Sequence, residues 1–263
     1  MTGAESARGW LRRRAEELVL AFSLLTRLPL PRLTIRPDVP LPDYLWAFPL
    51  VGFVVGHIAA LTYVLAREEG ALGVNLAAVL AMAASLLATG ALHEDGLADF
   101  ADGLGGGRTR ERKLAIMRDS AIGTYGAVAL FLVLALRWSA LASIADLHAA
   151  MGVLVLSHTL PRGLLAVIPE YWRPARADGL AASASHGNLK SALAAVGLSI
   201  AAALLLDAGP VGIGAVLAAA VGVVAVAALA SRYLGGYTGD VFGAAEQIGE
   251  VLVLMVAASV LSR

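Results

Sequence analysis

The chain has 263 residues, 59% of them hydrophobic and 15% charged, with a mean hydropathy of +0.76. Soluble domains carry roughly 25% charged residues, whereas here apolar blocks recur at the length of about 20 residues that crosses a bilayer. Zero net charge offers no bulk field for nucleic acid, and the absence of cysteine excludes disulfides, thiolate catalysis and cysteine-ligated zinc.

The chain opens on Arg8 and Arg12–Arg14, followed by an apolar run from Leu18 to Leu30 that Arg27 and Pro29 interrupt. No small-residue cleavage site follows, so the segment reads as an interfacial helix anchored by its arginines. Spans are expected at 46–66, 71–92, 122–145, 149–168, 191–206, 211–230 and 248–262, with Arg137 and Trp138 breaking the third. The fold class is therefore all-α: a polytopic integral membrane helical bundle of about seven spans, six being the alternative count. It forms a single domain over 1–263.

Lys and Arg concentrate on one side. Segment 1–45 holds seven Arg, loop 93–121 holds four Arg and Lys113, and loop 169–190 adds Arg173, Arg176 and Lys190. The opposite side shows Arg67 beside Glu68 and Glu69, then Asp146, His148 and Asp207. By the positive-inside rule the N-terminus and the long polar loops face the cytoplasm. Any chemistry belongs on that face.

The polar island His93-Glu94-Asp95-Gly96-Leu97-Ala98-Asp99-Phe100-Ala101-Asp102-Gly103 leads into Gly105-Gly106-Gly107-Arg108. Asp95, Asp99 and Asp102 are spaced i, i+4, i+7. On a helix continuing out of the second span they share one face, where like charges repel unless a cation holds them. Hard cations such as Mg²⁺ take oxygen ligands, so these three are candidate metal ligands, with Glu94 about 100° away as a supporting one. The glycine run and Arg108, Arg112 and Arg118 offer amides and positive charge to a phosphate. Asp119 and His93 are candidate proton acceptors, although a histidine at a span end also serves as a hydrogen-bonding group.

Loop 169–190 carries Tyr171 and Trp172, read as an interfacial belt. His158 and Arg162, four apart, could reach the same cavity as the acids. Gly235-Gly236-Tyr237-Thr238-Gly239-Asp240 forms a second glycine-rich turn whose Asp240 can bind metal, accept a ribose hydroxyl or take a proton. Glu246 and Glu250 follow at the mouth of the final span as candidate substrate-binding groups, Glu246 alternatively capping that helix. There is no Walker, serine-hydrolase or dinucleotide fingerprint.

Ala91 through Gly103, Arg110-Glu111-Arg112 and Ile116 through Gly126 together resemble the cobalamin synthase family, also called adenosylcobinamide-GDP ribazoletransferase. Thr26-Arg27-Leu28-Pro29-Leu30-Pro31, Phe48-Pro49-Leu50-Val51-Gly52 and Gly236 through Asp240 with Glu246 and Glu250 match in the same order. The resemblance implies a multi-pass inner-membrane enzyme. It would join adenosylcobinamide-GDP to α-ribazole or α-ribazole 5′-phosphate, releasing GMP with Mg²⁺. Membrane lipid surrounds such a protein. A homo-oligomer and a contact with the corrinoid-activating nucleotidyltransferase stay open. Two other readings compete. One is a CDP-alcohol phosphatidyltransferase-like enzyme, echoed by Asp95-Gly96-Leu97-Ala98 but lacking its second aspartate half. The other is a transporter, for which the acids sit at the wrong depth.

Overall fold

A computed structural model describes residues 3–30, 39–68, 70–184, 186–206 and 209–261. Pro31, Glu69 and Asp207, used above for a motif and for charge placement, lie outside them. The described secondary structure is helical, with one isolated bridge between Pro174 and Tyr237. In chain order the helices are α1 (Gly3–Leu25), α2 (Leu41–Tyr44), α3 (Phe48–Arg67), α4 (Val74–Thr89), α5 (Leu92–Gly106) and α6 (Arg110–Ile116). They continue with α7 (Thr124–Ala142), α8 (Leu147–Leu164), α9 (Ile168–Tyr171), α10 (Leu189–Leu206), α11 (Pro210–Leu234) and α12 (Gly239–Leu261).

Among the described residues, six segments are by themselves long and apolar enough to cross a membrane, namely Leu41–Arg67, Thr124–Ala142, Leu147–Tyr171, Leu189–Leu206, Val211–Leu234 and Gly239–Leu261, and the bent pair α4–α5 passes the same test when taken together. Phe131, Leu193, Leu205 and Val221 point outward and exposed, as lipid-facing residues do. The polar loops converge at one end of the bundle. There the Trp46 amide donates to Ser191 Oγ at 2.9 Å, joining the starts of α3 and α10, and Asn188 donates to Asp43 at 2.8 Å. Because α3 and α7 both start at that end, the chain must return between them. Helix α4 makes the return. Its 16 residues span about 24 Å, short of a hydrocarbon core of about 30 Å.

The shortness of α4 has a cause. The acidic helix does not prolong the second span, as the sequence suggests, but turns 89° from α4. Gly90 ends α4 in the left-handed region at φ 66°, and Ala91 follows at φ 55°, an uncommon conformation for a residue with a Cβ. The Gly90 and Ala91 amides both return to Leu86 O. The corner is braced by the N-terminal motif: Arg27 N donates to Ala88 O at 2.7 Å, and a Cβ on Gly90 would meet Arg27 Nε at 2.7 Å. Helix α5 therefore lies outside the six spans, close to a right angle from α4.

Close helix crossings hold the frame. At Gly56 of α3 a Cβ would come within 2.7 Å of Val155 Cα on α8. At Gly96 of α5 it would meet Asp240 O at 2.9 Å and Gly243 Cα at 3.1 Å on α12. Small residues permit such backbone contact between membrane helices. The second crossing brings the acids of α5 to the start of α12. Helix α1 is absent from the crossing segments and lies against the start of α3, where buried Glu17 accepts from Arg13, Arg14 and Trp46 Nε1.

Candidate active site

The Gly96–Gly243 crossing gathers Asp95 and Asp99 of α5 with Asp240 of α12. Asp95 is exposed, and Asp99 and Asp240 are half-buried. The Asp99 carboxyl is pushed up to about 7, first by burial and then by the charges of Asp240, Asp95 and Asp102, with Arg176 working the other way. Asp240 Oδ2 accepts from Arg176 at 3.2 Å and from Thr238 Oγ1 at 3.1 Å. The turn before α12 is pinned to the loop after α9: Ala175 N donates to Tyr237 O at 2.8 Å, and Tyr237 N to Arg173 O at 3.0 Å.

Two cavities flank these acids. One of about 200 Å³ is mostly apolar and includes Asp95 and Asp240 in its wall. The other, about 330 Å³, is lined by Arg118, Arg176, Asp178, Tyr237 and Thr238. Ala181 and Gly239 belong to both walls. Arg118 meets both oxygens of Asp178, at 2.7 and 2.5 Å, on the exposed rim of the second cavity. Sequence pattern does not single out Arg176 as a phosphate ligand, because it sits in a loop rich in mixed charge.

The remaining site expectations divide. Asp102 is on the same helix, but both its oxygens are engaged. Oδ2 accepts Gly123 N at 2.7 Å and Oδ1 accepts Gly126 N at 2.8 Å, which ties α5 to the first turn of α7. Asp119 turns back on its own loop, accepting Ala121 N at 3.1 Å. The glycine run is not a phosphate cradle. Gly105 and Gly106 are the last turn of α5 and Gly107 its C-cap, so the run presents carbonyls, and Lys113 Nζ caps Leu104 O and Gly107 O at 2.7 and 2.6 Å. Arg108 and Arg112 stand exposed on the following turn.

Glu246 and Glu250 are not at a mouth. Helix α12 begins at Gly239, well before the expected 248, and buries both side chains inside the bundle. Glu94, about 100° around α5 from Asp95 and buried, joins them. Arg137 Nη1 donates to Glu94 Oε1 at 3.1 Å and Arg137 Nη2 lies 2.5 Å from Glu250, while Arg162 Nη1 lies 2.5 Å from Glu246. Gln247 Nε2 bridges Glu94 and Glu246, each at 2.9 Å. His93 is buried here as well. Its Nδ1 is 3.3 Å from Arg162 Nη2, and since a guanidinium only donates, that lone pair is occupied. His93 is therefore no free base. The arginine that interrupts the third span is thus half of a buried ion network.

Two donor sets fit a divalent cation differently. Among the described residues, His158, Glu246 and Glu250 are the trio whose ligand atoms lie within 4.8 Å of one another. Arg137 and Arg162 already neutralise those glutamates, and a cation beside two guanidiniums is opposed. Asp95 and Asp99 offer only oxygen, no guanidinium is paired with either among the described residues, and Asp95 lines the apolar cavity. Mg²⁺ binds through one or two carboxylates plus substrate phosphates and water rather than in an all-protein cage, which matches the looser aspartate set.

A profile of the family described as cobalamin-5-phosphate synthase matches residues 17–258. Curated relatives named adenosylcobinamide-GDP ribazoletransferase include that of Mesorhizobium japonicum, 44% identical over 94% of this chain and 94% of the relative. That of Bradyrhizobium diazoefficiens is 46% identical over 92% and 93%, and that of Ralstonia nicotianae 42% over 94% and 96%. No solved structure matches significantly. The chain belongs to the cobalamin-5-phosphate synthase family, and the phosphatidyltransferase and transporter readings fall behind it.

Proposed function

We propose that this member of the family transfers the adenosylcobinamide phosphate group from adenosylcobinamide-GDP to α-ribazole or α-ribazole 5′-phosphate, releasing GMP. The reaction runs with Mg²⁺ at the cytoplasmic face of the inner membrane. The observation that carries this reading is that Asp95 and Asp240 share the wall of an apolar cavity, with Asp99 near enough for both charges to act on it, while Asp240 accepts from Arg176 of the arginine-lined cavity. Relatives bearing the ribazoletransferase name support the substrates. The crowding of Arg and Lys into segments at the polar end supports the orientation.

Asp95 and Asp99 would hold the ion, which supplies positive charge to the phosphoryl oxygens and lowers the pKa of the attacking hydroxyl. Arg176 and Arg118 orient the diphosphate in the second cavity and balance charge as it builds on the leaving GMP. The ribazole 5′-hydroxyl attacks the phosphorus on the cobinamide side. A new O–P bond forms there, the P–O bond to GMP breaks, and the hydroxyl proton passes to a carboxylate. Asp240 suits that role because it lines the acceptor side of the site and takes both its hydrogen bonds on Oδ2, while His93 Nδ1 is occupied by Arg162 and Asp119 lines neither cavity. Asp102 positions α7 against α5 rather than touching substrate.

The test uses liposome-reconstituted protein given both substrates, with GMP and the corrinoid product followed by chromatography. Equal amounts of both products are expected. GMP without corrinoid product would mean hydrolysis and overturn the transfer reading.

A further inference from the structure

The apolar cavity has walls built for a flat hydrophobic body. Leu25 from α1, Leu41 from α2, Phe48 from the start of α3, Leu92 from α5, Leu165 just after α8 and Phe242 from α12 surround about 200 Å³. Its polar residues include Asp95 and Asp240. A cavity of about 150 Å³ with Leu and Phe walls suffices to bind benzene, so the space here accommodates a fused bicyclic ring. We infer that this cavity holds the benzimidazole ring of the acceptor nucleoside, with its ribose hydroxyls directed at Asp95 and Asp240; the inference rests on the ribazoletransferase reading.

The competing occupants fit less well. Guanine carries two donor groups and a carbonyl along one edge, and leaving such groups unpaired in an apolar wall weakens binding by roughly ten-fold or more apiece. Dimethylbenzimidazole presents two methyl groups and a single free ring nitrogen instead. The corrin macrocycle is several times too large. A lipid acyl chain would match the leucines but has no use for two carboxylates, which repel an anionic headgroup. The cavity also abuts the arginine-lined one through Ala181 and Gly239, so an acceptor in the first faces a diphosphate in the second across the aspartates.

Leu24 and Ala181 line this cavity and are only half-buried, so they accept larger side chains with little disturbance of the core. Leu24→Trp and Ala181→Leu are expected to raise KM for α-ribazole about ten-fold or more, and Leu24→Trp, which reaches the first cavity but not the second, should leave KM for adenosylcobinamide-GDP within about two-fold of wild type. In wild type, removing each methyl from the benzimidazole should weaken equilibrium binding about four-fold, the worth of one buried methylene-sized group. In Ala181→Leu the smaller, unmethylated nucleoside should lose less than the methylated one. That size complementation is something a merely structural defect does not produce.

Unchanged ribazole KM in both filled variants, or a rise confined to the GDP substrate, overturns the assignment. So does phospholipid that co-purifies with wild type and is lost from Leu24→Trp while ribazole binding persists. Equilibrium binding of α-ribazole separates this inference from the reaction. Wild type that binds the nucleoside methyl-dependently yet releases no GMP would sink the transferase reading alone. Wild type that turns over without methyl dependence would sink the cavity assignment alone.

Discussion

Removing Arg162 should unfold the bundle from its centre. The guanidinium is 1% exposed, donates to His158 O at 2.8 Å and lies 2.5 Å from Glu246, itself 0% exposed. Arg162→Met would leave Glu246 with the Gln247 amide, 2.9 Å away, as its hydrogen-bond donor among the described residues, and with His93 Nδ1 at 3.8 Å. Stranding one member of a buried ion pair costs about 3–5 kcal/mol. At about 2–4 °C per kcal/mol for chains near this size, Tm should fall by about 6–20 °C. Replacing buried pairs with apolar residues is often neutral, so Arg162→Met combined with Glu246→Leu should recover most of the loss. Intrinsic fluorescence from Trp10, Trp46, Trp138 and Trp172 would follow unfolding in detergent without a thiol dye, which a cysteine-free chain could not take up. A single variant within 2 °C of wild type (roughly 1 kcal/mol or less on the same scale), or a double variant less stable than the single, would refute the pairing argument.

Three further outcomes follow from other contacts. Gly96→Ala pushes a methyl against Asp240 O and Gly243 Cα, so it should cost about 1–3 kcal/mol and lower turnover more than ten-fold by spreading the aspartates; near-normal kcat would deny that this crossing sets the site. Asp102→Ala orphans the amides of Gly123 and Gly126 and should destabilise by about 1–3 kcal/mol, read as a Tm shift, whereas Asp102→Asn, which keeps one acceptor, should lose less. Arg176→Ala should raise KM for adenosylcobinamide-GDP and leave KM for ribazole near wild type, as measured by initial rates; the opposite pattern would assign Arg176 to the acceptor.

The apolar blocks made the membrane bundle legible, and 191–206 and 211–230 lie within α10 and α11. The clustering of Asp95 and Asp99 was legible too, since helical spacing survives whatever direction the helix takes. That direction was not: Gly90 signals an ending, but nothing local announces a left-handed Ala91, which is held by the distant Arg27 segment. The glycine run misled because Gly at a helix C-terminus and Gly in a phosphate loop look alike until Lys113 is seen capping the carbonyls. Arg137 read as a break in a span, and Glu246 and Glu250 as the edge of another. Each lowers local hydropathy, and only the pairing of Glu250 with Arg137 of α7 and of Glu246 with Arg162 of α8 makes burial affordable. Arginine inside one apolar run and glutamates inside another were the available signal.

The central claim is that Asp95 and Asp99 hold a catalytic Mg²⁺ beside the diphosphate. The most direct measurement is single-turnover GMP release by reconstituted Asp99→Ala, alongside wild type titrated with Mg²⁺ after chelation. Turnover should vanish in the variant at every Mg²⁺ concentration while its Tm stays near wild type, and wild type should regain activity as Mg²⁺ returns. GMP release by folded Asp99→Ala at a wild-type rate, or by wild type in chelator, would contradict it.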